Sequence, residues 1–170
     1  IGAITNGRGD PLEMKSTLSS FFDFTVSGED EGVFPNRKPH PGIYKAAIER
    51  FESIGSIRQS VFSNTDILEV MRWDGVEKGN GATNLCWVHV GDDLANDVGA
   101  SAACGAQAVW LDPDEDEDDS TPFWSTATNE EIERRKRMND LARDSVSAKI
   151  STLLELPDAI RQILDTDLEK

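Results

Sequence analysis

Basic residues are scarce in this sequence. Its 17 lysines and arginines stand against 32 aspartates and glutamates, which gives a formal net charge of −15. Nucleic acids and anionic membranes are bound through basic faces, so this balance argues against both as partners. No apolar run approaches the roughly 20 residues needed to cross a bilayer, and no internal repeat is visible.

Cysteines are equally rare, with only Cys86 and Cys104 present. Two cysteines in apolar surroundings do not make a disulfide framework, so we expect a reducing compartment, with a cytoplasmic location as the default. The first residue is Ile1 rather than methionine, and we expect any targeting segment to lie upstream of it.

The residues that are present suffice for one ordinary domain over positions 1–170, with 38% hydrophobic and 29% charged residues. Much of the negative charge is local, because residues 112–119 are acidic at every position except Pro113. Such a run repels itself, so we expect a surface loop over about residues 112–128 and a helical region after it.

Hydrophobic patterning predicts an alternation of strands and helices. Residues 61–62 and 67–73 fit neither type clearly, and residues 74–84 are expected to form a surface insertion. The alternation predicts an α/β fold with a mostly parallel sheet, in which ligands bind beyond the carboxyl ends of the strands. Strands are expected at 1–5, 21–27, 85–90, 106–111 and 148–153, and helices at 11–19, from 43 onward, at 94–104, at 129–143 and around 160–168.

The turn Thr5-Asn6-Gly7 ends the first predicted strand. A hydroxyl and outward-facing backbone N–H groups suit the oxygens of a phosphate or a carboxylate. An ordinary turn is the alternative, because Asn-Gly is also simply a permissive backbone sequence.

Lys38 lies in the segment Arg37-Lys38-Pro39-His40-Pro41. Pro39 favours an extended conformation at Lys38, and Pro41 leads into the predicted helix. A lysine held in this way can direct a point charge at an anionic group. The alternative is a solvent-exposed basic residue that merely precedes a helix.

The most informative stretch runs from Trp87 to Ala100, where an apolar strand breaks at Gly91-Asp92 and Asp97 follows five positions later. Asp92 at a strand end and Asp97 in the next helical turn can converge on a divalent cation or on its water shell. Asp93 and Asn96 are expected to hydrogen-bond the loop. A cluster of helix N-cap residues is the alternative.

Taken in this order, the three groups resemble the motifs of the haloacid dehalogenase-like (HAD) hydrolase superfamily. Ile4-Thr5-Asn6-Gly7 resembles the second family motif, Lys38-Pro39-His40-Pro41 the third, and residues 91–97 the fourth. The resemblance extends from the Thr5 strand to the strand that ends at Leu111, and it implies a three-layer Rossmann-like core.

By this resemblance, the Thr5-Asn6-Gly7 turn would bind a transferring phosphoryl group, and Lys38 would neutralise its charge. Asp92 would hold Mg²⁺, with Asp97 as a second ligand or as the partner of a ligand. The implied reaction is attack by an aspartate carboxylate on a small phosphorylated metabolite, followed by hydrolysis of the aspartyl-phosphate. Thr5 and Lys38 are the catalytic candidates, and Mg²⁺ is the expected cofactor.

The first family motif, Asp-x-Asp-x-Thr or -Val, has no counterpart in the sequence. Residues 112–116 have the spacing of its two aspartates, but Asp116 stands where Thr or Val is expected. We therefore expect the carboxyl-terminal part of a HAD core, without the central nucleophile strand and the cap domain. Such a fragment would be inactive alone and would expose unpaired strand edges.

Other functions remain open at this stage. A 2-haloacid dehalogenase uses a similar aspartate nucleophile to attack a carbon atom and needs no Mg²⁺. A non-catalytic relative could serve as a binding or regulatory module, with its acidic loop as the contact surface. A receiver-like phospho-acceptor domain would need paired acids on its first strand. The phosphatase interpretation depends on Thr5, Lys38 and the acids after Val90 gathering around one pocket.

Overall fold

The computed structural model describes residues 1–57, 86–113 and 128–168. The chain forms two compact units, Ile1–Leu85 and Cys86–Lys170. Within the described residues every strand pairing is parallel, and helices follow strands in both units. The predicted α/β class with parallel sheets is therefore confirmed. The predictions for residues 61–62, 67–73 and 74–84, and for the acidic loop from residue 114 to 127, lie outside the described residues.

In the first unit, strands β1 (Gly2–Thr5) and β2 (Phe24–Ser27) form a two-stranded parallel sheet. Helix α1 (Pro41–Ile57) packs against both strands. Its Ile43 and Tyr44 are fully buried with Val26 of β2, as their helical spacing predicted. Burial of these side chains ties the helix to the sheet and so fixes where the segment before it, which carries Lys38, returns to the end of β1.

The predicted helix at residues 11–19 is wrong. Only a single 3₁₀ turn, Pro11–Glu13, forms there, capped by the Asp10 carboxylate, which accepts from the N–H of Leu12 at 2.8 Å. Residues 13–18 are exposed, including Leu18, so burial of an apolar face does not stabilise a longer helix here. The hydroxyls of this segment instead hydrogen-bond nearby carbonyls, as Ser19 does to Lys15 at 3.4 Å.

The second unit contains a three-stranded parallel sheet in the order β3-β4-β5. Its strands are β3 (Val88–Gly91), β4 (Gln107–Leu111) and β5 (Val146–Ile150), which lie within a few residues of their predicted positions. A π-helical segment, Leu94–Gly99, follows β3 and continues into the short helix α2 (Ala100–Ala102). Helix α3 (Asn129–Arg143) has the predicted bounds, and helix α4 (Leu156–Leu168) closes the described chain.

Alternate residues of β4 pack on opposite faces of this sheet. Ala108 and Trp110 lie in a cluster with Leu94, Val98 and Ala142, which joins the π-helical segment and α3 to one face. Val109 lies on the other face in a second cluster, with Ile150 of β5 and with Ala159 and Ile163 of α4. The second unit is thus a sheet between two helical layers.

The predicted helix at residues 94–104 is only partly correct. Its first turn and a half is π-helical, and regular α-helix is limited to Ala100–Ala102. Gly105 adopts a positive φ of 93°, the conformation in which a glycine commonly ends a helix. The π-helical segment contains Asp97, one of the two predicted metal ligands.

Both cysteines are free thiols, which agrees with the absence of a disulfide framework. Burial raises the pKa of the Cys104 thiol to about 11. Within residues 1–57, 86–113 and 128–168, none of the helices combines the length and the apolar character that a bilayer crossing requires.

Candidate functional site

The turn after β1, here called the β1 turn (Thr5, Asn6 and Gly7), is fixed by short contacts. The N–H of Gly7 donates to Oγ1 of Thr5 at 3.1 Å, and the hydroxyl of Ser27 donates to the Gly7 carbonyl oxygen at 2.7 Å. Thr5 is half-buried, and its hydroxyl proton has no acceptor among the described residues. That hydroxyl can therefore donate to an oxygen of a ligand.

Asn6 joins the β1 turn to the segment that carries Lys38. The backbone N–H of Lys38 donates to Oδ1 of Asn6 at 2.7 Å, and Nδ2 of Asn6 donates to the Lys38 carbonyl oxygen at 3.1 Å. One side-chain amide thus satisfies both backbone groups of a residue 32 positions away. The two segments are held in a single relative position by this pair of hydrogen bonds.

The ammonium group of Lys38 lies at the end of β1. Its Nζ donates to the carbonyl oxygen of Ile4 at 3.1 Å, and its side chain is half-buried. The structure therefore brings the predicted phosphate-binding residues, Thr5, Asn6, Gly7 and Lys38, together in the first unit. Lys38 is thus half-buried, unlike the solvent-exposed residue of the alternative, whereas the neighbouring Arg37 is exposed.

Beside the β1 turn, the first unit has a cavity of about 320 Å³. Two of its lining residues form an ion pair, with Nε of Arg8 3.7 Å from Oε2 of Glu29. Its wall combines polar groups with the apolar parts of the same side chains. The lining residues are Thr5, Arg8, Gly9, Asp10, Thr25, Ser27, Glu29 and Asp30.

In the second unit, the loop after β3, here called the β3 loop (residues 91–97), is organised by Asp93. Its Oδ1 accepts from the N–H of Asn96 at 2.8 Å, which caps the π-helical segment, and its Oδ2 accepts from Nδ2 of Asn96 at 2.8 Å. Arg135 of α3 donates to the same Oδ2 at 2.5 Å. The predicted loop role of Asp93 and Asn96 is confirmed.

Asp97 is 5% exposed and lies against the end of β3. Its Oδ2 accepts from the N–H of Asp93 at 3.3 Å, and its Oδ1 lies 3.7 Å from Nε2 of His89. A Cβ at Gly91 would come within 2.3 Å of Cβ of Asp97, so the carboxylate can occupy this position only because residue 91 is glycine.

Asp92 has the opposite environment, because its side chain is exposed. Its backbone is anchored instead, since Nε1 of Trp110 donates to the Asp92 carbonyl oxygen at 3.2 Å. The Trp110 ring is flanked by two cations, with Nζ of Lys149 at 4.7 Å and Cζ of Arg143 at 5.3 Å from its centroid. The exposed carboxylate thus projects from a rigid backbone position.

The donor set of the β3 loop can be tested against Mg²⁺. The described residues contain no group of three or more His, Cys, Asp or Glu side chains arranged for a metal ion, so a cation enclosed entirely by such side chains does not fit them. Mg²⁺, however, is usually held by one or two carboxylates and keeps several waters. Exposed Asp92 after β3 and buried Asp97 in the π-helical segment are the two carboxylates available for that mode of binding.

Sequence reasoning missed Arg135 and the anchoring role of Trp110. The inward face of helix α3 is mixed, with Ile132 and Met138 partly buried beside polar residues. Arg135 is partly buried on that face, and Asn139 and Ala142 are buried. Their 3–4 residue spacing is the signal that could have identified this face.

No family model matches the chain, and no curated protein matches it. The predicted residues therefore form two groups whose chemistry is judged from their own geometry: Thr5, Asn6, Gly7 and Lys38 in the first unit, and Asp92 and Asp97 in the second.

Proposed function

We propose that the protein is a hydrolase of the HAD type, and specifically a Mg²⁺-dependent phosphatase of a small phosphorylated metabolite. The observation that carries this proposal is the pair of hydrogen bonds between Asn6 and the backbone of Lys38. A surface lysine needs no such support. A lysine that neutralises a developing negative charge must be positioned in advance, because preorganised charge is the main source of catalysis in phosphoryl transfer.

In this proposal the β1 turn receives the phosphoryl oxygens. The Thr5 hydroxyl donates to one oxygen, and the backbone N–H of Asn6 supplies a further donor. Lys38 adds a positive charge at the same strand end, where its Nζ already lies beside the Ile4 carbonyl. These groups stabilise the charge on the phosphoryl oxygens while the bond between phosphorus and the oxygen of the leaving alcohol breaks.

Asp92 and Asp97 would hold the Mg²⁺ ion, which supplies further neutralisation of phosphoryl charge when it is bound. Buried Asp97 contributes an oriented carboxylate, fixed by the N–H of Asp93, and exposed Asp92 contributes a carboxylate that can meet a hydrated cation. The nucleophile is proposed to be an aspartate outside this sequence. Its carboxylate oxygen attacks phosphorus, the leaving alcohol takes up a proton, and water then releases phosphate from the acyl phosphate.

The test is phosphate release from a generic aryl phosphate by the full-length protein with Mg²⁺. Lys38→Ala and Asp92→Asn are each expected to abolish most of the hydrolysis. Lys45→Ala and Asp140→Asn are matched controls, because both residues are exposed on helices of the same two units, and both variants are expected to keep the wild-type rate.

Wild-type rates in Lys38→Ala and Asp92→Asn would refute the site. Release of halide from a 2-haloacid without Mg²⁺, in place of phosphate release, would instead identify the dehalogenase chemistry. Absence of both activities in a correctly folded full-length protein would favour a binding or regulatory relative.

A further inference from the structure

We propose that Arg135 is a positioning residue for the β3 loop and sets the affinity of that loop for a divalent cation. It does so through Asp93, without contacting the cation. The inference rests on the proposed function for the identity of the cation. The contact between Arg135 and Asp93 does not depend on it.

The first step is the contact itself. Arg135 and Asp93 are 42 positions apart in sequence, and Nη2 of Arg135 donates to Oδ2 of Asp93 at 2.5 Å. The side chains are only 30% and 23% exposed, so the pair is partly shielded from solvent and salt. Charge-assisted hydrogen bonds of this kind are shorter and stronger than neutral ones, and they fix orientation.

The second step leads from Asp93 to Asp97. The backbone N–H of Asp97 donates to the Asp93 carbonyl at 2.8 Å, while the N–H of Asp93 donates to Oδ2 of Asp97 at 3.3 Å. The backbone of Asp93 is thus hydrogen-bonded to both the backbone and the carboxylate of Asp97. A displacement of Asp93 must therefore move or reorient the Asp97 carboxylate.

The third step is the rigidity of the support. Helix α3 meets the π-helical segment at a second point, where a Cβ on Gly99 would come within 2.8 Å of Cβ of Ala142. Arg135 and Ala142 lie two turns apart on the same face of α3, so the helix holds the segment at both of its ends. Nε of Arg135 is buried without a hydrogen-bond partner in the described part of the chain. That arrangement is costly, and it makes the bond to Asp93 the main polar contact of this side chain.

A purely structural tie would predict a different outcome from a positioning residue. If Arg135 only stabilised the fold, its loss would lower the unfolding temperature and leave cation binding by the folded protein unchanged. If it positions the loop, cation affinity falls in the folded protein, because residues that orient metal ligands typically change affinity by about 10- to 100-fold.

The experiment combines amide hydrogen exchange with calorimetric titration of Mg²⁺ into the full chain. Arg135→Gln is expected to increase exchange at the amides of Asp93, Asn96 and Asp97 and to weaken Mg²⁺ binding about tenfold. Arg137→Gln is the matched control, since Arg137 is exposed on the same helix, and it should change neither quantity. Arg135→Lys keeps the charge, so it should bind Mg²⁺ more tightly than Arg135→Gln but less tightly than wild type. It takes the place of Arg135→Gln in the experiment if that variant does not fold.

A double-mutant cycle with Asp93→Asn decides whether the effect passes through Asp93. In that background Arg135→Gln should cause no further weakening, whereas an additional tenfold loss would overturn the proposal. Wild-type exchange and wild-type affinity in Arg135→Gln would overturn it as well. If the wild-type chain binds no Mg²⁺ but Arg135→Gln still loosens the three amides, the positioning role stands and the metal part of the proposed function is wrong.

Discussion

The β1 turn and the β3 loop occupy equivalent places, each at the carboxyl end of a parallel strand, but they are built from different interactions. The β1 turn is joined to Lys38 by neutral hydrogen bonds from the Asn6 amide. The β3 loop is organised by carboxylates, one of them paired with Arg135. The first region presents a hydroxyl, backbone donors and an ammonium group, whereas the second presents carboxylate oxygens.

In the proposed function, this difference would allow one protein to bind ions of opposite sign. A positive charge and N–H donors attract an anion, and carboxylates attract a hard cation. The support differs in the same way. Asp93 is stabilised by the charged Arg135 and by two donors of Asn96, whereas the β1 turn is held by neutral hydrogen bonds of Asn6 and Ser27.

Substitution of glycine should separate the two regions most strongly. Gly91→Ala places a methyl group within 2.3 Å of Cβ and 2.4 Å of Cγ of Asp97, so we expect a loss of about 3 kcal/mol in the free energy of unfolding. Gly7→Ala is the control, because its added methyl group would meet only Thr5 Oγ1, at 3.8 Å. Urea denaturation measures the free energy of unfolding of both variants. Equal losses in Gly91→Ala and Gly7→Ala would mean that the position of Asp97 does not depend on glycine at residue 91.

Removal of the organising side chains should have the next largest effect. Asp93→Ala breaks the pair with Arg135 and the helix cap, and we expect a loss of about 2 kcal/mol that shrinks as salt is added. Asn6→Ala removes the two hydrogen bonds between Asn6 and the backbone of Lys38, with an expected loss of about 1 kcal/mol that is insensitive to salt. Denaturation at low and high ionic strength distinguishes them. The same salt dependence in both variants would contradict the distinction between charged and neutral support.

A smaller effect is expected from Trp110→Phe. The substitution removes the N–H that donates to the Asp92 carbonyl at 3.2 Å but keeps an aromatic ring between Lys149 and Arg143. The expected loss is below about 1 kcal/mol in stability, with increased amide exchange confined to the β3 loop. Unchanged exchange there would show that the indole does not hold the Asp92 backbone.

The smallest effect concerns the start of α3, the helix that carries Arg135. Hydrogen bonds from the backbone N–H and the hydroxyl of Thr128 hold the pKa of Glu131 below its ordinary value of 4.5. Since the folded state has the lower pKa, this contribution to stability is present above the unfolded value and is lost as the pH falls through the folded value. Glu131→Gln should therefore lose less stability than wild type on acidification, measured by circular dichroism during denaturation. Identical acid dependence would contradict this origin of the shift.

Much of this fold could be predicted from residue spacing. The strands β3, β4 and β5 follow from apolar runs that pack in the sheet, whereas the bounds of α3 follow from its continuous run of charged, helix-favouring residues. The segment at 11–19 could not be predicted as well, because its capping signals at Asp10 and Pro11 are real but no buried face sustains the helix beyond one turn.

The candidate site was predictable to a similar degree. Asn-Gly, Lys-Pro and Gly-Asp marked where polar groups follow strands or precede a helix, and the structure brings Thr5, Asn6 and Lys38 together. The pairing of Arg135 with Asp93 was not predictable, because local sequence patterns carry no information on which residue meets which across 42 positions. The gathering of both regions around one pocket stays a prediction.

The most direct test of opposite ion preference is an amide-shift map of the full chain by two-dimensional NMR, with Mg²⁺ and orthophosphate added separately. The account predicts that Mg²⁺ shifts the amides of residues 91–97, and that orthophosphate shifts those of Thr5, Asn6, Gly7 and Lys38. Orthophosphate shifts centred on the β3 loop, or Mg²⁺ shifts centred on the β1 turn, would contradict it.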